Sequence, residues 1–460
     1  MHNKTSNERH VAISILLEIN QQGAYNNIAL RRTLDDYPQW QPYQRAFVTE
    51  LVNGTLRNQI LIDHIIESYS RKPVFDKSVS NKSVSNKSTL NKPKSNKSAS
   101  SKSAPKMKPF IRELLRTAVY QIQWMDKVPP SAAVNEAVKL ARSCGFEALS
   151  GFVNGILRNI VRGHESGTLP IPVPYNTKEY ARYLSLRYSF PLWLAKAVIN
   201  WLGDEAEEFC IQSHIAPSVT VCVNPLKTTR DALAESLEAS GIECVKSTLT
   251  EACLHLKRTA DLTAVTAYRQ GHFFVMDEGA YLAAKALSAK PGQKIIDLCA
   301  APGGKSFACA GIMENRGQII SCDIHPHKIR LIANTAARLG IDCITVKERD
   351  ASVINPVWEG WADAVMLDAP CSGFGIIRRK PDIKYTKTME DVRSLAAFQR
   401  TLLSAAAAYV KPGGVLVYST CTINGEENED NVRWFLDNFP FTLDGFAGHN
   451  GFFIARMVRL

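Results

Sequence analysis

From residue 291 onward the chain alternates short apolar strands with helices, and that alternation leaves few folds open to it. KIIDLC, GQIISCD, CITVKERD, ADAVMLDAP and GGVLVYSTC are five apolar runs, four of them separated by helical stretches or long crossovers. Runs this apolar suit strands buried on both faces, and parallel strands need a crossover between them, usually a helix. The pattern predicts an α/β fold with a doubly wound, Rossmann-like sheet. Such a sheet binds its ligand outside the carboxyl ends of the strands.

Two of those ends carry a thiol: Cys371 in LDAPCSGFG and Cys421 in LVYSTCTING. A thiol just past a buried strand is placed for nucleophilic chemistry. The ordinary role of a cysteine is that of a small buried hydrophobe. That role is expected for the other nine of the 11 cysteines, except Cys299, whose backbone lies in a loop of small residues. The odd number, the scatter and the lack of a C-x-x-C pair argue against a disulfide framework and a zinc ribbon. His325 and His327 have no further ligands at metal spacing, so no metal is expected.

The loop CAAPGGKS (Cys299, Ala300, Ala301, Pro302, Gly303, Gly304, Lys305, Ser306) follows a strand and opens a helix, which turns backbone N–H groups toward a ligand. It is not a P-loop, because Cys299 stands where that motif needs glycine. The glycine spacing is also wrong for a dinucleotide fingerprint. Asp323 ends the second strand, where an acid can bind ribose hydroxyls. Asp350, at the end of the third, could hold the adenine end of the same ligand. Each acid alone is equally well a strand-end cap. With the loop, the two favour an adenosyl cofactor, S-adenosylmethionine over NAD.

At 460 residues the chain exceeds one core. Residues 1–165 carry apolar positions at helical spacing, in VAISILLEI, RAFVTELVNGTL, ILIDHIIESY and three later runs, and predict an all-α domain. Its Arg112, Arg116, Arg158 and Arg162 are expected to be exposed. Residues 76–107 interrupt that domain with a Lys/Ser/Asn repeat of five residues, too polar to pack. Eight lysines of this insert account for most of the net charge of +11, leaving +3 without them, so bulk charge says little about nucleic acid. A Pro/Gly-rich bridge opens a linker and small α+β segment over 166–290, and the doubly wound domain spans 291–460. No run reaches the ~18 apolar residues of a membrane span. The first residues, MHNKTSNERH, lack a signal-peptide core, and a cytosolic protein is expected.

CAAPGGK, DAPCSGFGIIRRKPDIK and YSTCTINGEENE resemble the signature blocks of the RNA (cytosine-5)-methyltransferases. The helical N-terminus resembles a NusB-type RNA-binding domain through RAFVTELVNGTLR, PPSAAVNEAVKLAR and GFVNGILR, a fusion similar to that of bacterial 16S rRNA methyltransferases. The resemblance spans nearly the whole chain outside the lysine repeat. It implies an enzyme that methylates carbon 5 of a cytosine in 16S rRNA, cytosine 967. Residues Cys299 to Lys305, with Asp323, Asp350 and Asp368, would hold S-adenosylmethionine. Cys421 would be the nucleophile and Cys371 would assist product release. Lys305 and Asp368 would orient the base. A monomer with rRNA as its partner is expected. The chain departs from the pattern at Tyr385, Cys222 and Met276, where the family commonly has Trp, Arg and Gln.

The chemistry accounts for these residues. Carbon 5 of cytosine is a poor nucleophile until a thiolate adds to carbon 6. A neighbouring positive charge such as Lys305 promotes that thiolate, and the base must be unstacked to be reached. Arg378, Arg379 and Lys380, with Lys384 close behind, are read as RNA phosphate contacts. Three other readings compete. A DNA cytosine methyltransferase would use Cys371 as nucleophile, and the cysteine at 421 argues against it. A non-catalytic RNA-assembly factor would have lost a catalytic residue. A dehydrogenase would need other glycine spacing.

Overall fold

A computed structural model of the chain describes residues 7–70, 107–173, 179–257, 261–449 and 451–460. The lysine repeat lies outside the described residues. The chain forms two compact units, one of Met1–Ile215 with Ile377–Lys387 and one of Ala216–Ile376 with Thr388–Leu460. No helix among the described residues is long and apolar enough to cross a membrane.

The first unit is helical, and its stripes show why. In the helix Pro109–Trp124 the buried Ile111, Leu114, Leu115, Ala118, Val119 and Ile122 recur at steps of three and four, which puts them on one face. They join Val11, Ile15, Leu51, Leu56 and Ile160 in one core, each large side chain contributing about 1.5–3 kcal/mol of burial. Gly54, in the helix Pro42–Arg57, allows the closest approach: a Cβ there would lie 1.9 Å from the Tyr120 ring. The helix Asn26–Asp35, with its weak apolar pattern, is not among the expected ones.

Of the four arginines expected at the surface, Arg158 and Arg162 are exposed and Arg112 is half-buried. Arg116 departs from expectation and is buried. Its guanidinium donates to both carboxylate oxygens of Asp63, at 2.7 and 2.5 Å, and to Glu113, at 2.9 Å. A fork that satisfies two acids is stable where a lone cation is not. Arg116→Leu is expected to destabilise the helical unit by about 3–5 kcal/mol, because it leaves Asp63 without its cation and Glu113 with Arg112 alone. Urea denaturation followed by circular dichroism measures this, and an unchanged midpoint would contradict the burial.

In the second unit, β1 (Val219–Val223), β2 (Cys244–Lys246), β3 (Cys253–Leu256) and β4 (Phe273–Val275) form an antiparallel sheet of order β2-β3-β1-β4. The larger sheet holds β5 (Lys294–Asp297), β6 (Gln318–Asp323), β7 (Ile344–Glu348), β8 (Ala362–Asp368), β9 (Val410–Thr420), β10 (Phe441–His449) and β11 (Phe452–Arg459). Its order is β10-β11-β9-β8-β5-β6-β7, parallel from β9 to β7. The five expected strands are β5 to β9. The last two form an antiparallel hairpin on β9. The edge strand β10 is almost wholly exposed, and FTLDGFAGH has no apolar alternation to announce it. The sheet packs helices on both faces. On one, Leu402, Leu403 and Phe435 cover Val365, Leu367 and Leu416. On the other, Phe307, Ala310 and Met313 cover Ile295, Ile319 and Met366.

Candidate active site

The order of the sheet creates the site. From β5 the chain winds outward through β6 to β7, then returns to place β8 and β9 on the other side of β5. Where the winding reverses, the loops after two neighbouring parallel strands part and leave a crevice. Here those strands are β5 and β8.

After β5 the chain turns through residues 299–303 into the helix Gly304–Ile312. Gly303 carries the turn at φ 106°, and a Cβ there would also lie 2.4 Å from the Phe307 ring. Ala300 N–H, donating to Cys322 O at 2.8 Å, ties the loop to β6. Burial pushes the Cys299 thiol up, so it stays neutral. Asp323 ends β6 and is 8% exposed, accepting at 3.0 Å from the His325 N–H. Asp350 lies two residues beyond β7, exposed, and accepts from the Ser352 N–H and hydroxyl at 2.9 and 2.7 Å, a turn cap. Asp297, at the end of β5, was not singled out from the sequence, although it stands just before the loop. Burial pushes it up to about 6, against the Ser306 hydroxyl that donates to it. Its Oδ1 has no hydrogen-bond partner among the described residues. A small-residue turn opening a helix, a nearly buried acid on the next strand and an orphaned buried acceptor fit an adenosyl ligand.

Lys305, in the first turn of that helix, is buried and reaches Asp368 Oδ2 at 2.5 Å. Burial opposes its charge, but Asp368 more than offsets it and holds the ammonium above its ordinary value. The other Asp368 oxygen accepts from the Ser419 hydroxyl at 2.8 Å. Asp368 ends β8 and Ser419 pairs with it on β9. This alignment brings the two thiols together: Cys371 Sγ lies 3.2 Å from Cys421 Sγ and accepts from the Cys421 N–H at 3.3 Å. The bond with Cys421, and burial after it, raise the Cys371 thiol well above its usual range, so Cys371 keeps its proton at neutral pH.

Behind the thiols lies a buried polar cluster of Gln399, Asn424, Glu427, Asn428 and Asn431. These residues were not singled out, though three of them lie in the block YSTCTINGEENE.

Arg378 and Arg379 are half-buried and Lys380 is exposed, in the segment Ile377–Lys387 that belongs to the helical unit. Lys384, expected beside them as a phosphate contact, is instead fully buried. Its ammonium donates to Arg57 O at 2.9 Å and Tyr188 O at 3.3 Å. Tyr385 Oη donates to Leu56 O and Ser189 O at 2.9 and 3.1 Å. Both side chains satisfy carbonyls at the end of the helix Pro42–Arg57, which its own ladder leaves open.

A Rossmann-like sheet with this loop and this order defines a methyltransferase fold. Residues 284–443 match the 16S rRNA methyltransferase RsmB/F family model, 6–84 and 77–162 the NusB family, and 190–263 the ferredoxin-like domain of RsmF/B-like methyltransferases. The chain is 34% identical to "Probable ribosomal RNA small subunit methyltransferase B" of Bacillus subtilis (strain 168), over 99% of each chain. It is also 34% identical to the protein of the same name from Synechocystis sp., over 94% of this chain and 89% of that one. The crystal structure of PH0851 superposes with TM-score 0.75 at 25% identity, over 98% of this chain and 99% of that one. A methyltransferase homolog from Pyrococcus horikoshii gives TM-score 0.55 at 25% identity, over 62% of this chain and all of that one. The chain belongs to the ribosomal RNA small subunit methyltransferase B family.

Proposed function

We propose that this protein methylates carbon 5 of a cytosine in 16S rRNA, through a covalent bond between Cys421 and carbon 6 of the base. The target that the family resemblance implies is cytosine 967. The observation that carries this reading is the pair of sulfurs 3.2 Å apart at the ends of neighbouring strands, beside the Lys305–Asp368 ion pair.

S-adenosylmethionine supplies an electrophilic methyl group when bound, and residues 299–305 with Asp323 and Asp350 would hold it. Cys421 adds to carbon 6 and turns carbon 5 into an enamine carbon, a competent nucleophile. Lys305 favours the thiolate by its charge, and Asp368, steadied by Lys305 and Ser419, orients the base. After methylation carbon 5 gives its proton to solvent, and the bond from carbon 6 to Cys421 breaks. Cys371, which keeps its proton, donates S–H to the departing thiolate. Arg378, Arg379 and Lys380 hold phosphates and set register rather than reading sequence. The NusB-type domain supplies further RNA contact.

The test is transfer of labelled methyl from S-adenosylmethionine to unmodified 16S rRNA, with the product nucleoside identified by mass spectrometry. 5-Methylcytidine at one position is expected. Methylation of a ring nitrogen or a ribose oxygen would overturn the covalent reading.

A further inference from the structure

The polar cluster behind the thiols has a definite wiring. Glu427 is wholly buried, and both its carboxylate oxygens are used. Oε2 accepts from the Ser372 N–H at 2.9 Å and from Gln399 Nε2 at 2.8 Å, while Oε1 accepts from Asn424 Nδ2 at 2.6 Å. Gln399 Nε2 also donates to Pro370 O at 2.9 Å. The residues on either side of Cys371 are thus fixed from one point. Cys421 is bracketed in the same way. Thr420 Oγ1 donates to Asn428 Oδ1 at 2.6 Å. Thr422 Oγ1 shares a hydrogen bond with Ser372 Oγ at 2.7 Å and accepts from Asn424 Nδ2 at 3.0 Å. Tyr418 Oη closes the cluster, donating to Glu427 O at 2.6 Å and bonding Gln399 Oε1 at 3.0 Å.

A buried carboxylate carries a large desolvation cost, and here its bonded partners are neutral donors. Packing does not require a charge at this place, since glutamine has the same shape. What glutamine lacks is the ability to accept at both ends. Acceptance at both ends is what joins the Cys371 loop to the Cys421 loop.

We propose that Glu427 is a positioning residue for the two thiols: its carboxylate, with Gln399 as relay, sets the separation of Cys371 and Cys421 and so the rate of adduct release. The assignment rests on the covalent reading above. Glu427 touches neither base nor cofactor, so its loss leaves substrate affinity alone and acts on turnover. A misplacement of about 1 Å in a catalytic geometry costs on the order of 10²-fold.

The experiment uses the full-length enzyme, 16S rRNA and labelled S-adenosylmethionine, comparing wild type, Glu427→Gln, Gln399→Met and Cys421→Ala. Glu427→Gln is expected to lower kcat by about 10- to 100-fold with KM for RNA unchanged. It should also accumulate a protein–RNA complex that survives denaturing electrophoresis. A second readout is the pH dependence of Cys371 alkylation in the Cys421→Ala background, which shifts to lower pH once the Glu427 charge is removed. Gln399→Met breaks the Pro370 link together with the Gln399 bonds to Glu427, Tyr418 and Asn431, but leaves Glu427 bonded to Ser372 and Asn424. It gives the same pattern more weakly, and decides the matter if Glu427→Gln does not fold. A folded Glu427→Gln enzyme with wild-type kcat and no accumulated adduct overturns the positioning role. If Cys421→Ala transfers methyl at the wild-type rate, the covalent reading fails instead.

Discussion

Cys421→Ala is expected to abolish methyl transfer, lowering kcat by more than about 10³-fold, as losing the attacking group does in other covalent enzymes. The expectation follows from the substrate as much as from the site. Without addition at carbon 6, carbon 5 of cytosine has no electron pair to offer, and good binding does not create one. Cys371 lies 3.2 Å away, yet it cannot take over. The substitution removes its bond to Cys421, but burial and the nearby Glu427 carboxylate still push its thiol up and keep it protonated in neutral solution. Residual binding should survive, because Lys305, Asp323 and the 299–303 loop are untouched. The measurement is single-turnover methyl transfer, with denaturing electrophoresis of the same samples. A covalent RNA complex in Cys421→Ala would assign the nucleophile to Cys371 and reverse the roles.

The sequence carried the catalytic architecture because that part of the chain is under the strictest physical demands. Strands buried on both faces must be apolar throughout, so KIID, QIISCD and ADAVMLD stand out. Ligands sit beyond the carboxyl ends of such strands. The loops carrying Gly303 and Cys371 were therefore legible from the strand pattern and their small residues, while the reversal that parts them is set by the sheet order of the fold. The hairpin Phe441–Arg459 escaped notice for the opposite reason. An edge strand has one bare side, and β10 puts most of its residues in solvent.

The errors at Arg116 and Lys384 share one cause. A cation in a sequence looks exposed until its partners are known, and these partners are distant: Asp63 lies 53 residues from Arg116. The partners of Lys384 are backbone carbonyls of Arg57 and Tyr188, which no side-chain pattern reveals. Glu427 lay within a quoted block, but GEENE reads as a charged surface run. Only the fold turns it inward.

Replacing the other thiol is expected to have the opposite appearance. Cys371→Ala should still form the bond between Cys421 and the base, then fail to release it, so that a denaturation-resistant protein–RNA complex accumulates. Two facts lead there. The Cys421 N–H and the sulfur of Cys421 both lie against Cys371 Sγ, at 3.3 and 3.2 Å, so Cys371 is the nearest donor to a sulfur leaving as thiolate. Its own proton is held firmly, by that bond first and by burial second, so it is available as a donor throughout the neutral range. The sign of the pH effect follows. A raised thiol pKa means the S–H form persists above the ordinary value near 8.5, so wild-type release should hold through about pH 8.5 and fall only beyond it. In Cys371→Ala the complex should persist without that dependence. Turnover at the wild-type rate with no trapped complex would show that elimination needs no S–H donor, and would leave Cys371 a packing residue.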